Sequence, residues 1–501
     1  MATDSEDHQM NVQNSQRDAF VAPSPGEWRR LGDHFPGALT PEYQRLYTAT
    51  CPPGLADYMA RYGVLARGID VAYIHGHAYL APVPLAGPRE MKRVPPRAAI
   101  WTMARLHPAF RARTRAARST LADRPWRRAA AQWFSAERAQ WIDRNRTVES
   151  VTPSSLADQE LSEHLLDCAR LATDGYRRHF ELHGDDLLPV GLLVARCAEW
   201  GIDAATAGTS LVGAADRTME PIAAEWQLVS GYDLDSLARC ELTRPTTHPS
   251  ATPAAGDLRR LVASEHHDEL QQLVDDARAA AHLRDDNGEV IGAWPLGLLR
   301  RSMLEAGRRL GLARPELAVE ALVSELVQWL ETHDGHVDEL LEERFIDRQR
   351  RSRLAAPDKL GPEFPIPPLD ALPRPLALIA AAQLAAMDQM LGSQAVGIGS
   401  APHTGRALIV DDPGHALDLI EPGDVIVTNF TCPSWNTVIA LAGGLVTATG
   451  GPLSHAATLA RELGIPAVVG LPAATTRFAH ASQLCVDPVN ATVTPVDRSV
   501  S

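Results

Sequence analysis

The sequence predicts a multidomain protein, a mostly α-helical body followed by a small α/β domain, and three observations lead to that reading. Apolar residues recur at spacings of three and four through Ser155–Leu171, Leu187–Trp200, Pro253–Leu283, Gly297–Leu310 and Pro315–His333, the period of helices with one buried face. A proline-rich stretch, Pro357 to Pro375, interrupts that pattern and favours an extended, semi-rigid path. Beyond it, short β-branched segments such as Asp424–Thr428, Gly444–Thr449 and Ala467–Val469 alternate with helical segments around Trp435–Leu441 and Ala456–Leu463.

Taken in order, residues 1–24 read as a disordered tail, because they are rich in Asp, Glu, Ser, Asn and Gln and carry no apolar period. Residues 25–355 form the α-rich body. Residues 356–400 hold the proline-rich linker, an Ala- and Leu-rich helix from Leu376 to Leu391, and a hinge in which Gly392, Gly397 and Gly399 supply backbone freedom. Residues 401–501 form the small α/β domain.

Composition narrows the function classes. The chain has 501 residues, 45% of them apolar and 22% charged, the range of an ordinary globular protein. A net charge of −14 argues against nucleic acid as a general partner, since duplex binding neutralises phosphates with basic side chains. The first twenty residues lack the apolar core of a signal peptide, and no run approaches the length of a membrane span, so a cytoplasmic protein with no membrane partner is expected. Cys51, Cys168, Cys197, Cys240, Cys432 and Cys485 show no paired spacing, which suggests neither a zinc site nor a disulfide framework. Lys92 and Lys359 are the only lysines, and this arginine bias with abundant Ala and Pro points to a GC-rich bacterial genome.

One segment carries most of the chemistry. Gly450-Gly451-Pro452-Leu453-Ser454-His455 leads from a glycine-rich turn into a helix that ends at Gly464. Ser454 is suited to the N-cap, and His455 falls in the first turn, where unpaired backbone N–H groups and the positive end of the helix dipole favour an anion. A neutral imidazole is a competent nucleophile near neutral pH, and a phosphoryl group on its nitrogen leaves readily. His455 is therefore a candidate phosphate carrier, with Gly450, Gly451, Ser454 and Arg461 assigned to phosphate binding.

From about Val396 to Val496 the chain resembles the phosphohistidine swivelling domain of the phosphoenolpyruvate-utilising enzymes. That group includes phosphoenolpyruvate synthase, pyruvate phosphate dikinase, phenylphosphate synthase and rifampicin phosphotransferase. The resemblance runs through Gly397-Ile398-Gly399-Ser400, Gly405-Arg406-Ala407, Pro422-Gly423-Asp424-Val425-Ile426-Val427, Pro433-Ser434-Trp435 and the histidine segment. It departs where the usual Asp-Gly turn reads His480-Ala481 and where the next turn reads Val489-Asn490-Ala491. The resemblance implies that the small domain swivels and that His455 carries the phosphate.

The body is similar, at fewer positions, to the substrate-binding domain of the rifampicin phosphotransferase group. The matching residues are Trp28, Asp33-His34-Phe35-Pro36, Leu39-Thr40-Pro41, Tyr73-Ile74-His75-Gly76-His77-Ala78-Tyr79-Leu80, Arg284-Asp285-Asp286, Leu299-Arg300 and Gly307-Arg308-Arg309-Leu310. This similarity implies a catalytic, phosphate-orienting Arg284, whose guanidinium fork suits a transferring phosphoryl group. It also places His34, Phe35, Asp285 and Arg300 at the substrate. The relatives' lysine four residues after that arginine is Gly288 here, so the second positive charge is missing.

Other clusters read as ordinary structure. His179 and His183, at i, i+4 spacing ahead of Asp185-Asp186, have the spacing of metal ligands but are read as surface groups, and no metal site is assigned. Glu265-His266-His267-Asp268-Glu269 and the arginines from Arg111 to Arg128 around Trp126 are read as solvated faces.

The resemblance further implies that ATP charges the histidine on an ATP-grasp domain, for which this sequence shows no segment and no GxxxxGK[ST] loop. A nucleotide-binding ATP-grasp partner is therefore expected in trans, holding most of the Mg²⁺ with ATP. The expected function is a phosphotransferase, with a phosphohistidine intermediate, that delivers phosphate to a hydroxyl of an organic acceptor of secondary metabolism. Two alternatives stand beside it: a dehydratase acting by phosphorylation and elimination, and a non-catalytic phosphoacceptor or scaffold protein.

Overall fold

The computed structural model describes residues 19–32, 35, 37–90, 93–202, 206–207, 256–332, 337–363, 366–391, 395–431, 435–451 and 454–496. The body opens with strand β1 (Trp28–Arg30), helix α1 (Pro41–Tyr62) and the strands β2 (Gly68–Ile74) and β3 (His77–Val83). Helices α2 (Arg97–Leu106), α3 (Pro108–Asp123), α4 (Pro125–Gln132), α5 (Arg138–Glu149), α6 (Asp158–Asp186) and α7 (Leu188–Glu199) follow. Then come α8 (Gly256–Leu261), α9 (His267–Asn287), α10 (Trp294–Arg309), α11 (Val323–Thr332), α12 (Val337–Ser352), the short strand β4 (Lys359–Leu360) and α13 (Arg374–Leu391).

The centre of the body is α6, whose Leu161, Leu165, Cys168, Ala172 and Gly175 recur at three and four and are buried in the core shared with α1 and α10. At Gly175 the helix meets a π-helical turn, Gly288–Ala293, that links α9 to α10. A Cβ there would lie 2.2 Å from the Ile291 carbonyl oxygen, so only glycine permits the approach.

A four-stranded antiparallel sheet, in the order β2-β3-β1-β4, joins the helices and was not expected from periodicity. Six of the seven residues of β2 are half-buried, so its sequence lacks a clean in-out alternation. The turn between β2 and β3 is His75-Gly76, at φ 51 and 82, the two-residue left-handed geometry that closes a hairpin.

The proline-rich segment, expected as a linker, runs back along the body. Leu360 pairs with Trp28 in the sheet, the Tyr79 hydroxyl donates to the Pro357 carbonyl at 2.8 Å, and Leu372 and Leu376 are buried against Ile100 and Phe110. Helix α13 continues this packing onto α7, with Ile379 and Ala382 in the main core. Of the expected hinge, residues 392–394 lie outside the described residues, and Val396–Ile398 is β5, a strand antiparallel to Ala467–Val469.

The small domain is built on a seven-stranded mixed sheet. Its further strands are β6 (His403–Ile409), β7 (Val425–Thr428), β8 (Gly444–Thr447), β9 (Ala467–Val469), β10 (Gln483–Asp487) and β11 (Thr492–Pro495), in the order β11-β10-β6-β7-β8-β9-β5. The four central strands β6 to β9 are parallel, and helices α14 (Pro413–Leu419), α15 (Asn436–Leu441) and α16 (His455–Leu463) connect them, with α17 (Ala474–Arg477) following β9. Both faces are covered. Ile426, Leu445, Ala467 and Val469 pack against Trp435, Val438, Ala457 and Ala460, whereas Val425, Val427, Val446 and Val468 face Phe478, Leu484 and Val486. Burial on both faces explains why these strands read as continuous apolar runs.

Among the described residues, the buried clusters of this domain contain no body residue, and those of the body contain none from beyond α13. Among the described residues no helix is long and apolar enough to cross a membrane. Within the small domain, Gly405 passes so close to the next loop that a Cβ would lie 2.2 Å from the Gly423 carbonyl oxygen. Beside it, Arg406 forks onto buried Asp424 at 2.9 and 2.6 Å. With separate cores, Gly405→Ala is expected to destabilise the small domain by about 1–3 kcal/mol and leave the body unmoved. Urea unfolding followed by hydrogen exchange in each domain measures this, and equal loss in both would show a single cooperative unit.

Candidate functional site

The parallel strands of the small domain end on one edge, and the loops beyond β7 and β8 build the site there, where open α/β sheets form their binding crevices. After β8, Gly450 at φ 112 turns the chain so tightly that a Cβ would touch the Ser454 side chain at 2.9 Å. Pro452 and Leu453 lie outside the described residues. Ser454 is the N-cap of α16, and its hydroxyl accepts from the Ala457 backbone N–H at 3.3 Å. His455 is therefore the first helical residue, at the positive end of the dipole, and α16 closes at Gly464 with φ 68.

The ring is held through both nitrogens. Nδ1 lies 2.9 Å from the Thr431 hydroxyl, just beyond β7, and Nε2 lies 2.8 Å from Asn436 Oδ1, at the start of α15. With an amide oxygen facing it, Nε2 carries the hydrogen and donates, and Nδ1 accepts from Thr431; turning the Asn436 amide reverses the pair. The loops that carry these residues are braced by Asp411. Its carboxylate accepts from the Asn429 backbone N–H at 3.0 Å and from the Asn429 side chain at 2.9 Å, and the Thr449 hydroxyl donates to the Asn429 carbonyl at 3.0 Å.

Burial pushes the His455 pKa down from its ordinary value, and the positive charge of Arg284 adds to the effect, so that it falls to about 3. Arg284 stands in the last turn of α9, so a charge from the helical body acts on the ring of the small domain. Near neutral pH the imidazole is uncharged, the form in which one nitrogen keeps a lone pair.

The remaining sequence candidates are placed unequally. Gly450, Gly451 and Ser454 form the approach to α16, but Arg461 lies in its last turn, the opposite end from a phosphate at Ser454, where a cation complements the helix dipole. Phe35 is buried edge-on against Tyr43 and Tyr47, with centroids 5.3 and 5.5 Å away, a packing position. His34 and the Asp285 side chain fall outside the described residues. Arg300 is buried within α10.

His179 and His183, read as surface groups, instead turn inward. Their rings meet at 4.7 Å, His179 bonds to Asn287, and Asp185 and Asp186 behind them are buried. The glycine at 175, one turn earlier on the same stripe, brings this face of α6 against the end of α9, which periodicity alone does not reveal. Among the described residues no group of three or more His, Cys, Asp or Glu is arranged to hold a metal. Of the basic stretch, Arg111, Arg115 and Arg118 are exposed as expected, whereas Arg113 donates to the Ala66 carbonyl and Arg124 and Arg127 pair with buried Asp276. The acidic run is likewise partly structural, since Glu269 pairs with Arg196 at 2.8 Å and His266 stacks on Trp200.

Thr431 and Asn436 were missed from sequence. Their only signal is that they flank Pro433-Ser434-Trp435, and which polar residue reaches the ring depends on how two loops meet.

Residues 420–490 match the family of the PEP-utilising enzyme mobile domain, the segment that contains β7 to β9, α16 and His455. The chain is 46% identical over 82 residues to a rifampicin phosphotransferase of Streptomyces sviceus, a match covering 16% of this chain and 9% of that protein. It is 42% identical over 96 residues to an uncharacterized phosphotransferase of Bacillus subtilis (19% and 11%), and 49% identical over 70 residues to the phosphoenolpyruvate synthase of Escherichia coli (14% and 9%). The chain thus spans about a tenth of the length of these relatives.

The low pKa of His455 has a thermodynamic consequence with a definite sign. The unfolded chain takes up a proton at the ordinary 6.5 and the folded chain only near 3, so between those values the unfolded state holds more protons and stability falls as pH falls. Relative to His455→Gln, the wild type is expected to lose stability on acidification below 6.5. An NMR titration should find the ring neutral at pH 5, with Arg284→Ala raising its midpoint; a midpoint near 6.5 in the wild type would refute the buried, Arg284-facing placement.

Proposed function

We propose that this protein is a phosphotransferase in which His455 accepts a phosphoryl group and passes it to a hydroxyl of an organic acceptor bound at the helical body. The similarity to PEP-utilising enzymes, with relatives named rifampicin phosphotransferase and phosphoenolpyruvate synthase, supports phosphoryl transfer through a phosphohistidine. The observation that carries the reading is an imidazole on the first residue of a capped helix, gripped at both nitrogens and held neutral near pH 7, with the charge of Arg284 from the body acting on it. Neutral, the ring can attack phosphorus; once it carries a phosphoryl dianion, the same arginine and the helix end stabilise the charge that the transfer must move.

In this reading Nε2 attacks in the tautomer reached by turning the Asn436 amide, in which Nδ1 carries the hydrogen and donates to the Thr431 hydroxyl; Thr431, the more deeply buried of the two partners, keeps hold of the ring while Asn436 gives way. Separate cores suit a domain that carries the group between a donor and an acceptor. The donor site is proposed to be of ATP-grasp type and supplied in trans, with Mg²⁺ bridging the nucleotide phosphates there. We place the acceptor near Gly288, the first residue of the π-turn and four residues beyond Arg284, where a Cβ would meet none of the described atoms within 4 Å. Retention of the phosphate gives a phosphorylated product, and its elimination from the same intermediate gives a net dehydration.

The test is chemical. The chain is incubated with ATP labelled at the β or γ position and with ATP-grasp proteins encoded beside it, and the label is quenched in alkali, where phosphohistidine survives. The wild type is expected to hold label on residue 455, His455→Ala none, and Thr431→Val to charge about tenfold or more slowly. Product formation by His455→Ala at the wild-type rate would end this reading.

A further inference from the structure

The surface of α2 and α3 carries positive charge that its own neighbours do not offset. From Arg93 to the end of α4 there are ten arginines and one carboxylate, Asp123, in a chain whose net charge is −14. Four of the ten have partners within the body: Arg97 pairs with Asp370, Arg113 donates to the Ala66 carbonyl at 2.9 Å, and Arg124 and Arg127 share buried Asp276. Arg93, Arg105, Arg111, Arg115, Arg118 and Arg128 are exposed and meet no carboxylate among the described residues.

Three of these form a stripe. Helix α3 buries Phe110, Arg113, Ala117 and Thr120, and on the side turned from that face Arg111, Arg115 and Arg118 recur at four and three, among the small exposed residues Ala112, Ser119 and Ala122. Like charges at this spacing repel and weaken a helix. On α12 the four arginines, Arg344, Arg348, Arg350 and Arg351, each pair with a carboxylate instead. Apolar side chains flank the stripe: Trp101 and Leu106 of α2 are 53% and 71% exposed. The Arg105 guanidinium lies over the Trp101 ring at 4.1 Å and holds the indole in place. His107 alone separates α2 from α3, and Leu106 and Arg111 occupy the two positions that approach each other where a chain enters a helix. Exposed tryptophan beside arginine is the composition of the energetic centre of a protein interface.

We propose that the α2–α3 face docks a second protein through a carboxylate-rich helix, whose acidic side chains at spacings of three and four meet Arg111, Arg115 and Arg118 while apolar residues beside them cover Trp101 and Leu106. Each guanidinium fork takes one carboxylate. Charge complementarity fixes the extent of the partner as well as its sign. A nucleic acid duplex or an anionic bilayer extends beyond the face and approaches the excess negative charge carried by the rest of the chain, whereas a single helix meets the arginines alone. A second copy set two-fold on the same face would lay arginine on arginine. Docking of this kind is independent of the transfer chemistry at His455.

The full chain, labelled with 5-fluorotryptophan, is followed by ¹⁹F NMR, and the Trp101 resonance is the one missing from Trp101→Phe. The probe is a synthetic amphipathic peptide of about 20 residues, long enough to hold a helix, with glutamates at i, i+4 and i+7 and leucines beside them. At low salt it is expected to shift the Trp101 resonance and to bind about tenfold more tightly than a counterpart with glutamine for glutamate, the sum of three exposed ion pairs. Arg111→Gln, Arg115→Gln and Arg118→Gln together are expected to abolish that advantage; all three positions are exposed, so this variant keeps its fold. Arg144→Gln with Arg146→Gln, on α5, is expected to retain it. An unmoved Trp101 resonance, equal affinity for the two peptides, or tighter binding to duplex DNA or to vesicles of phosphatidylserine and phosphatidylcholine in equal parts overturns the proposal. Self-association seen by sedimentation and lost in the triple variant would assign the face to a second copy and overturn it as well.

Discussion

The pair of hydrogen bonds that grips the His455 ring is the constraint on which the rest of the small domain depends. Thr431 and Asn436 both come from the connection that follows β7, five residues apart, and each must be placed to a fraction of an ångström for both nitrogens of a ring on the next connection to be met at once. That placement depends on the strands beneath. Valines and isoleucines of β7 to β9 are buried on both faces, and Asp411 and Asn429 tie the loop ends together above them. Without that support, a histidine at the start of a nine-residue helix would rotate freely and be solvated.

Burial of this ring and the separation of the cores act together. Among the described residues each domain buries its own apolar surface, and the charge of Arg284 on α9 is what reaches from the body to the His455 ring. A neutral imidazole offers no charge to that guanidinium. A phosphorylated ring would offer two negative charges to the same group, so the proposed relay favours the body after charging and releases it after transfer. In the proposed relay the arginine contributes to both the chemistry and its order.

Legibility from sequence varied with the range of the interaction. The histidine helix was readable because its signals are local: Gly450 to turn, Ser454 to cap and Gly464 to stop, all within fifteen residues. The strands β7, β8 and β9 were readable because two-sided burial writes itself as apolar runs. The β2-β3 hairpin was not, since half-buried strands blur the alternation, although His75-Gly76 marked its turn. The proline-rich segment reads locally as a linker, but Leu360, Leu372 and Leu376 find partners in the body more than 200 residues earlier in the chain. His179 and His183 read as surface groups because nothing nearby shows that Gly175 will bring α9 against them.

By itself the sequence determined the helical period of the body, the capped helix that begins at His455, and the apolar strands beneath it, all of which follow from contacts among near neighbours in the chain. Only the tertiary structure decided which groups meet the His455 ring, that Arg461 lies in the last turn of its helix, and that His179 bonds to Asn287. The reason is physical: a hydrogen bond acts over a few ångströms in space, and the residues that come within that distance here are separated by 19 positions, for His455 and Asn436, and by 108, for His179 and Asn287.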